Sequence, residues 1–395
     1  MASYRTLDQL GNIEGQRALV RVDFNVPVDH ETGKITDDTR MQGALGTIRY
    51  LVSKKARVIL MSHRGRPKKP SRQDSLKVVA ERLRDLTDAP VHFVEDIVGH
   101  QAEEAVKQLP PGEVLVLENL RFDPGEKSND QDFARALARL GDFYVDDAFG
   151  TAHRESASIV GVPTLLPSYA GKLLDHELST LSQILLDPEK PYWIIVGGAK
   201  VSDKVGLLGQ LLAKADGIVI GGGMANTFLA AAGYNMGASK VETDAEATVK
   251  ELLDRAKGRG IPILLPIDVV VAKAFRADAK ARVVAVDAVG PQEMALDLGP
   301  QSIHQIQDRI QSAKTVLWNG PMGVFEWEAF SQATMAVART LSTIPAQVVV
   351  GGGDSVAAVR RAGVADDLTH VSTGGGATLE FLEGKTLPGV QALTQ

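Results

Sequence analysis

Ala18-Leu19-Val20-Arg21-Val22-Asp23-Phe24-Asn25-Val26-Pro27 begins as an apolar run and passes into alternating polar residues. The apolar start reads as a buried strand, and Pro27, which has no amide hydrogen for a ladder, should stop it. Arg21, Asp23 and Asn25 alternate, so an extended chain places all three on one face. A base, an acid and an amide on one face suggest a site. The plainer alternative is the exposed face of an edge strand.

Outward from this stretch the same arrangement recurs. Thr36-Asp37-Asp38 can cap a helix carrying Met41, Leu45, Ile48 and Val52 at helical spacing. Arg57 to Met61 reads as a buried strand that runs into Ser62-His63-Arg64-Gly65-Arg66-Pro67. Ser75 opens a second helix through Leu76, Val79, Leu83 and Leu86. Val91 to Val94 and Val114 to Leu117 read as strands, the latter ending in Glu118-Asn119-Leu120-Arg121-Phe122. A helix near Asp132 to Leu140 leads to Phe143-Tyr144-Val145 and the loop from Asp147 to Arg154. Strands alternating with helices predict a mostly parallel sheet covered on both faces.

Tyr169 to Leu186 reads as a long amphipathic helix between Pro167 and Pro188, connecting two domains. Beyond it the pattern is strand, glycine turn, helix. Tyr192 to Val196 precedes Gly197-Gly198-Ala199-Lys200, and Ile218 to Ile220 precedes Gly221-Gly222-Gly223. Val348 to Val350 precedes Gly351-Gly352-Gly353-Asp354-Ser355, and Val371-Ser372-Thr373 precedes Gly374-Gly375-Gly376.

The chain has 395 residues, enough for about two domains, and 44% of them are hydrophobic. A net charge of −6 gives no general case for nucleic acid. The absence of cysteine excludes disulfides, thiol catalysis and cysteine-held metals. No apolar run reaches the ~18 residues of a membrane span, and the N-terminal residues carry no apolar signal region. A soluble cytoplasmic protein without nucleic-acid or membrane partners is the expectation.

In an open parallel sheet, ligands bind beyond the carboxyl ends of the strands. Those loops carry Asp23, Asn25, His63, Arg66, Arg121, His153 and Arg154, a concentration of cationic donors suited to carboxylate or phosphate. In the second half, the glycine turns let backbone amides approach a phosphate at helix starts. Lys200 and Lys204 are spaced to share one face of the helix after the first turn. Asp354 is placed to hold Mg²⁺ on a nucleotide, since Mg²⁺ takes few carboxylates plus phosphate oxygens. Neither standard nucleotide loop is present. Leu379 stands where a Walker A loop ending at Gly384-Lys385-Thr386 needs glycine, and Asn226, Val356 and Leu379 break the dinucleotide pattern after the glycine triplets. A two-domain anion-binding protein and a nicotinamide-dependent dehydrogenase are the competing readings. The broken fingerprints count against the second, and the lysines and Gly-Gly-Gly-Asp against the first.

The chain resembles phosphoglycerate kinase along nearly its whole length. The resemblance rests on residues 21–27, 62–67, 118–122, 147–154, 197–204, 221–225, 318–326, 351–355 and 372–376 in that order. It implies two doubly wound parallel-sheet domains facing across a cleft. The N-terminal domain would span 1–168, with residues 387–395 folding back onto it. An interdomain helix would cover 169–186 and a nucleotide domain 187–386. By matched position, Asp23, Asn25, Arg40, His63, Arg66, Arg121 and Arg154 should hold 3-phosphoglycerate or its acyl phosphate. Lys200, Lys204, Glu326, Gly352, Gly353, Asp354 and Ser355 should serve Mg-ATP or Mg-ADP. Arg40 and Lys200, with backbone donors at Gly374 and Gly375, are expected at the transferring phosphoryl, and a monomer is expected. One departure stands out. Glu155-Ser156 follows His153-Arg154 where the family often has Ala-His, which should weaken anion binding.

Overall fold

The computed structural model of the chain describes residues 3–29 and 31–394 and divides into two compact units. One takes the chain up to Ser179 and again from Thr386, and the other is Thr180–Lys385.

The first unit is built on β1 (Arg17–Val22), β2 (Arg57–Met61), β3 (Val91–Phe93), β4 (Val114–Val116), β5 (Phe143–Asp147) and β6 (Ser168–Ala170). Their order is β3-β4-β2-β1-β5-β6, with every pairing parallel. Ala18 to Val22 are all buried, because helices cover both faces of a parallel sheet. The chain leaves β1 towards β2 and returns on its other side as β5, so the strand order reverses at β1, where a crevice is expected.

β1 ends at Val22 and not at Pro27. The Phe24 amide donates to Ser62 Oγ at 2.8 Å and the Asn25 amide to Asp23 Oδ1 at 3.1 Å, so side-chain oxygens replace the ladder. Asp23 and Asn25 therefore sit in a loop, and Arg21 alone of the triad lies in the strand.

The connecting helix is also shorter than its sequence pattern. Tyr169 and Ala170 pair with Val145 and Asp146 in β6, and the helix is Lys172–Leu186. Its start is set by Thr47 Oγ1, which accepts the Lys172 amide at 2.8 Å. Asp147 Oδ1 accepts those of Leu173 and Leu174 at 2.9 and 3.3 Å. The division between the units falls inside this helix, after Ser179.

The second unit holds β7 (Tyr192–Val196), β8 (Gly217–Ile220), β9 (Ile263–Leu264), β13 (Thr315–Asn319), β14 (Gln347–Gly351) and β15 (His370–Val371). They form a parallel sheet of order β15-β14-β13-β7-β8-β9, which reverses between β7 and β13. A separate antiparallel sheet, β11-β10-β12, joins β10 (Asp268–Ala272), β11 (Arg282–Ala285) and β12 (Met294–Leu298). The sequence reading contains no such sheet. Three of the four residues of β11 are exposed, so it carries no apolar run to announce it.

The chain end returns to the first unit as the short helix Pro388–Ala392. The Gly389 amide donates to the Ala152 carbonyl at 2.8 Å, and a Cβ at Gly389 would sit 2.8 Å from Ile159 Cγ2. Gln395, part of the expected fold-back, lies outside the described residues.

Candidate active site

At the carboxyl end of the first sheet the loops are tied to one another. Gly65 donates its amide to Asn25 Oδ1 at 2.9 Å, and Arg121 reaches the Gly65 carbonyl. Buried Asn119 accepts the Arg64 amide at 3.2 Å and returns Nδ2 to the Arg64 carbonyl at 2.8 Å. Arg40 sits 3.2 Å from the Asp23 carboxylate and 3.1 Å from the Asn25 carbonyl. Each loop thus fixes its neighbour, and cationic groups held this way need little reordering to meet an anion.

Beneath them lies Arg21, only 2% exposed. Its Nε donates to Ser158 Oγ at 2.9 Å, Nη1 reaches the Val22 carbonyl, and Nη2 lies 3.1 Å from His63 Nδ1. Ser158 in turn donates its hydroxyl and amide to the buried Glu126 carboxylate at 2.6 and 3.0 Å. Glu126 supplies the negative charge without which a buried guanidinium would be costly. The single π-helical turn Ala157–Gly161 presents Ser158 for both contacts.

A pocket of ≈ 760 Å³ opens here, with Arg21, Arg66, Arg121 and Arg154 in its wall. Glu155, Ser156, Lys68, Lys69 and Lys127 line it as well. Lys68 and Lys69 are exposed and face this pocket. Burial, then Arg21, Arg121, Arg154 and Arg40, push the His63 pKa well below its ordinary value. His63 therefore reports that these arginines converge on one place. Arg121 is itself pulled down from the usual guanidinium value by burial and by Arg154 and Arg21.

The second unit places its candidates differently from the sequence reading. The helix after the first glycine turn is Val205–Leu211, so Lys200 and Lys204 are not on it. Glu242 accepts the amides of Val201 and Ser202 and the Ser202 hydroxyl, and these bonds hold the intervening turn open. Lys200 is exposed, whereas Lys204 is half-buried and donates Nζ to Asn319 Oδ1. Burial pulls the Lys204 pKa down, and Asp203, Asp354 and Glu383 partly restore it. Asp354 and Glu326 are exposed. Ser355 is fully buried, and its hydroxyl accepts the Gly320 amide at 2.5 Å.

The glycine turns divide into two kinds. A Cβ on Gly197 would fall 2.1 Å from the Pro321 carbonyl oxygen, and one on Gly222 2.7 Å from both the Gly198 nitrogen and that oxygen. These glycines are required by backbone packing against backbone. Gly353 and Gly375 have nothing within 4 Å, so their backbone is open to a ligand. Gly353 starts the helix Gly353–Arg361, which carries Asp354 in its first turn. Gly375, at φ +53, precedes the helix Gly376–Leu382, and the Gly374 amide is turned inward to Ser372 Oγ at 3.2 Å.

Among the described residues there is no group of three or more His, Asp or Glu side chains arranged to hold a metal. No helix among them is long and apolar enough to cross a membrane. A tied arginine pocket at one sheet reversal, and a lysine with open helix starts at another, mark an α/β phosphotransferase. The family model for phosphoglycerate kinase matches residues 7–385. The chain is 55% identical over 384 residues to the phosphoglycerate kinase of Moorella thermoacetica, covering 97% of each. It is 54% identical over 385 residues to that of Chloroflexus aggregans, covering 96% of each. The structure of phosphoglycerate kinase from Coxiella burnetii superposes with a TM-score of 0.89 at 41% identity, covering 100% of this chain and 99% of that one. The chain belongs to the phosphoglycerate kinase family and is a kinase of glycolysis.

Sequence reasoning passed over Ser62, Asn119, Ser158 and Glu126, which order the pocket from behind. Ser62 and Asn119 lie inside quoted motifs, and polar residues directly after apolar strand runs were the available signal. Ser158 and Glu126 carry none, because their partnership spans 32 residues.

Proposed function

We propose that the chain catalyses reversible phosphoryl transfer between the acyl phosphate of 1,3-bisphosphoglycerate and ADP, giving 3-phosphoglycerate and ATP. The observation that carries this reading is the pocket of ≈ 760 Å³ walled by Arg21, Arg66, Arg121 and Arg154. An acyl phosphate is a good donor, so catalysis reduces to positioning and charge stabilisation of a loose transition state, with no protein nucleophile. Asp23, Asn25, His63, Arg66, Arg121 and Arg154 bind the phosphoglycerate, and Arg40 and Lys200 meet the transferring phosphoryl. Lys204, Glu326, Gly352, Gly353, Asp354 and Ser355 serve the nucleotide, and the Gly375 amide adds a donor, the Gly374 amide being taken by Ser372 Oγ.

An exposed carboxylate, Asp354, in the first turn of an open helix start near the Lys204 ammonium suits Mg²⁺ that takes its other ligands from phosphate oxygens. The ion, when bound, neutralises charge on the phosphates. Glu155 in the pocket wall opposes an anionic substrate, so E155A should lower KM for 3-phosphoglycerate. Direct transfer requires both substrates to meet away from water, so both together should compact the protein more than either alone. The protein acts as a cytoplasmic monomer.

The test is ATP-dependent phosphorylation of 3-phosphoglycerate, with and without Mg²⁺, coupled to reduction of the acyl phosphate. Turnover that needs Mg²⁺ and collapses in K200A and R121A supports the assignment. Turnover retained by R121A would remove the first-unit pocket from the reaction.

A further inference from the structure

We propose that His63 serves the phosphoglycerate pocket as a neutral hydrogen-bond donor whose single proton is held on Nε2 by Arg21, which makes Arg21 a positioning residue. The proposal rests on reading that pocket as the phosphoglycerate site.

The argument begins with the 3.1 Å contact between Arg21 Nη2 and His63 Nδ1. A guanidinium has only donors and keeps its charge at any pH a protein survives. Nδ1 must therefore be the acceptor and carry no proton. A neutral imidazole bears one proton, and only Nε2 is left for it. The alternative tautomer, or the imidazolium, would set two N–H groups against each other.

The pair has no room to rearrange. His63 is 4% exposed and Arg21 2%. Arg21 also donates to Ser158 Oγ and the Val22 carbonyl, which fix the guanidinium, and Glu126 anchors Ser158 from behind. The charged groups around His63 are Arg21 from β1, Arg40 from the helix Thr39–Ser53, Arg121 from the turn Leu120–Phe122 and Arg154 from the loop after β5. All are cations, and with burial they hold the imidazole neutral far below its ordinary titration range.

The functional consequence concerns an anion. An imidazole of the other tautomer would turn a lone pair at Nε2 towards phosphate or carboxylate oxygens and repel them. One with its proton on Nε2 donates, and it does so equally at pH 8 and at mildly acidic pH. The arginines supply charge, and His63 supplies a directional contact that does not titrate.

The test has two arms on the full chain. Long-range ¹⁵N correlation of the His63 ring in the wild type should show Nδ1 unprotonated and Nε2 protonated throughout pH 5.5 to 8. Kinetics then compare H63Q and H63N, since a glutamine amide reaches the place of Nε2 and an asparagine amide that of Nδ1. H63Q should stay within about threefold of the wild-type KM for 3-phosphoglycerate, while H63N should raise it about tenfold or more, the scale of a lost hydrogen bond to a charged group. In R21M, Nδ1 loses the donor that keeps it unprotonated, so the ring should show a measurable population with its proton on Nδ1 while burial and the remaining arginines keep it neutral, and KM should rise. A protonated Nδ1 in the wild type overturns the proposal whatever the kinetics. The expected tautomer with KM unchanged in both H63Q and H63N overturns the role of His63 as a donor and removes it from the substrate site. Loss of turnover in R121A as well as H63N, with H63Q active, leaves both the site and the proposal standing.

Discussion

Replacing Gly353 and Gly222 by alanine, one at a time, separates the two kinds of glycine turn. Gly222 has φ +65, and its Cβ would meet only backbone, 2.7 Å from the Gly198 nitrogen and the Pro321 oxygen and 2.8 Å from the Gly198 oxygen. Backbone cannot swing aside as a side chain can. Left-handed strain of about 1–3 kcal/mol and overpacking of about 1–3 kcal/mol both apply, so G222A should lose roughly 2–6 kcal/mol. Gly353 has no positive φ and nothing within 4 Å, and it begins a helix. Alanine there restricts the unfolded chain and should stabilise by about 0.4–1 kcal/mol. A unit the size of Thr180–Lys385 shifts its Tm by about 2–4 °C per kcal/mol. Calorimetry should thus find G353A up to about 4 °C more stable and G222A at least about 4 °C less. Added MgADP should protect the two variants in the opposite order to their stabilities. Ligand at a hundred times its Kd protects by about 2.7 kcal/mol, and a methyl at the phosphate seat should remove at least about half of that in G353A. G222A, while folded, should keep its protection. Wild-type MgADP protection in G353A would show that this helix start is not where phosphate binds. A G222A as stable as wild type would refute the packing argument.

Among the described residues Arg40 is held by Asp23 and the Asn25 carbonyl, so R40A should cost the fold under about 1 kcal/mol while kcat falls about 10²–10³-fold; a near-normal kcat would take Arg40 out of the reaction. Burial pushes the Asp147 carboxyl up to about 7, above its unfolded value near ~3.9. Its contribution to stability is therefore full below the unfolded value and is lost as pH rises towards 7. Thermal melts of wild type should gain stability as pH falls from 8 to 5, and D147N should flatten that gain; identical pH slopes would contradict the assignment. Asp297, likewise raised to about 7 by burial, should behave in the same sense. G389V places branched methyls against Ile159 and the Ala152 backbone, so it should destabilise the first unit by about 1–3 kcal/mol and leave MgADP protection intact. Unchanged melting would mean that the chain end does not pack there.

Much of the architecture is legible in the chain alone. The runs that form β1, β2, β4, β5, β7, β8 and β14 are apolar because both faces of a parallel sheet are buried, and that demand is written residue by residue. The loops that follow them carry arginines, histidine, lysines and glycines wherever the sheet ends, so the anion chemistry and the family resemblance could be read before any coordinates. What local pattern cannot encode is which distant group each residue meets. Gly222 and Gly353 are indistinguishable as letters, yet one is pressed against Gly198 and Pro321 and the other faces open space. Lys200 and Lys204 have helical spacing, but Glu242 holds the turn between them open and Asn319 takes Lys204. β1 looked as though it would run to Pro27, but Ser62 Oγ takes the Phe24 amide and ends the ladder early. Arg21 read as a site residue on a strand face; only in three dimensions do Ser158 and Glu126 anchor it from behind while it fixes His63 in front. Periodicity and composition report on burial and local backbone. Hydrogen-bond partners and steric limits arise from contacts between residues far apart in the chain, and those exist only once the fold has brought them together.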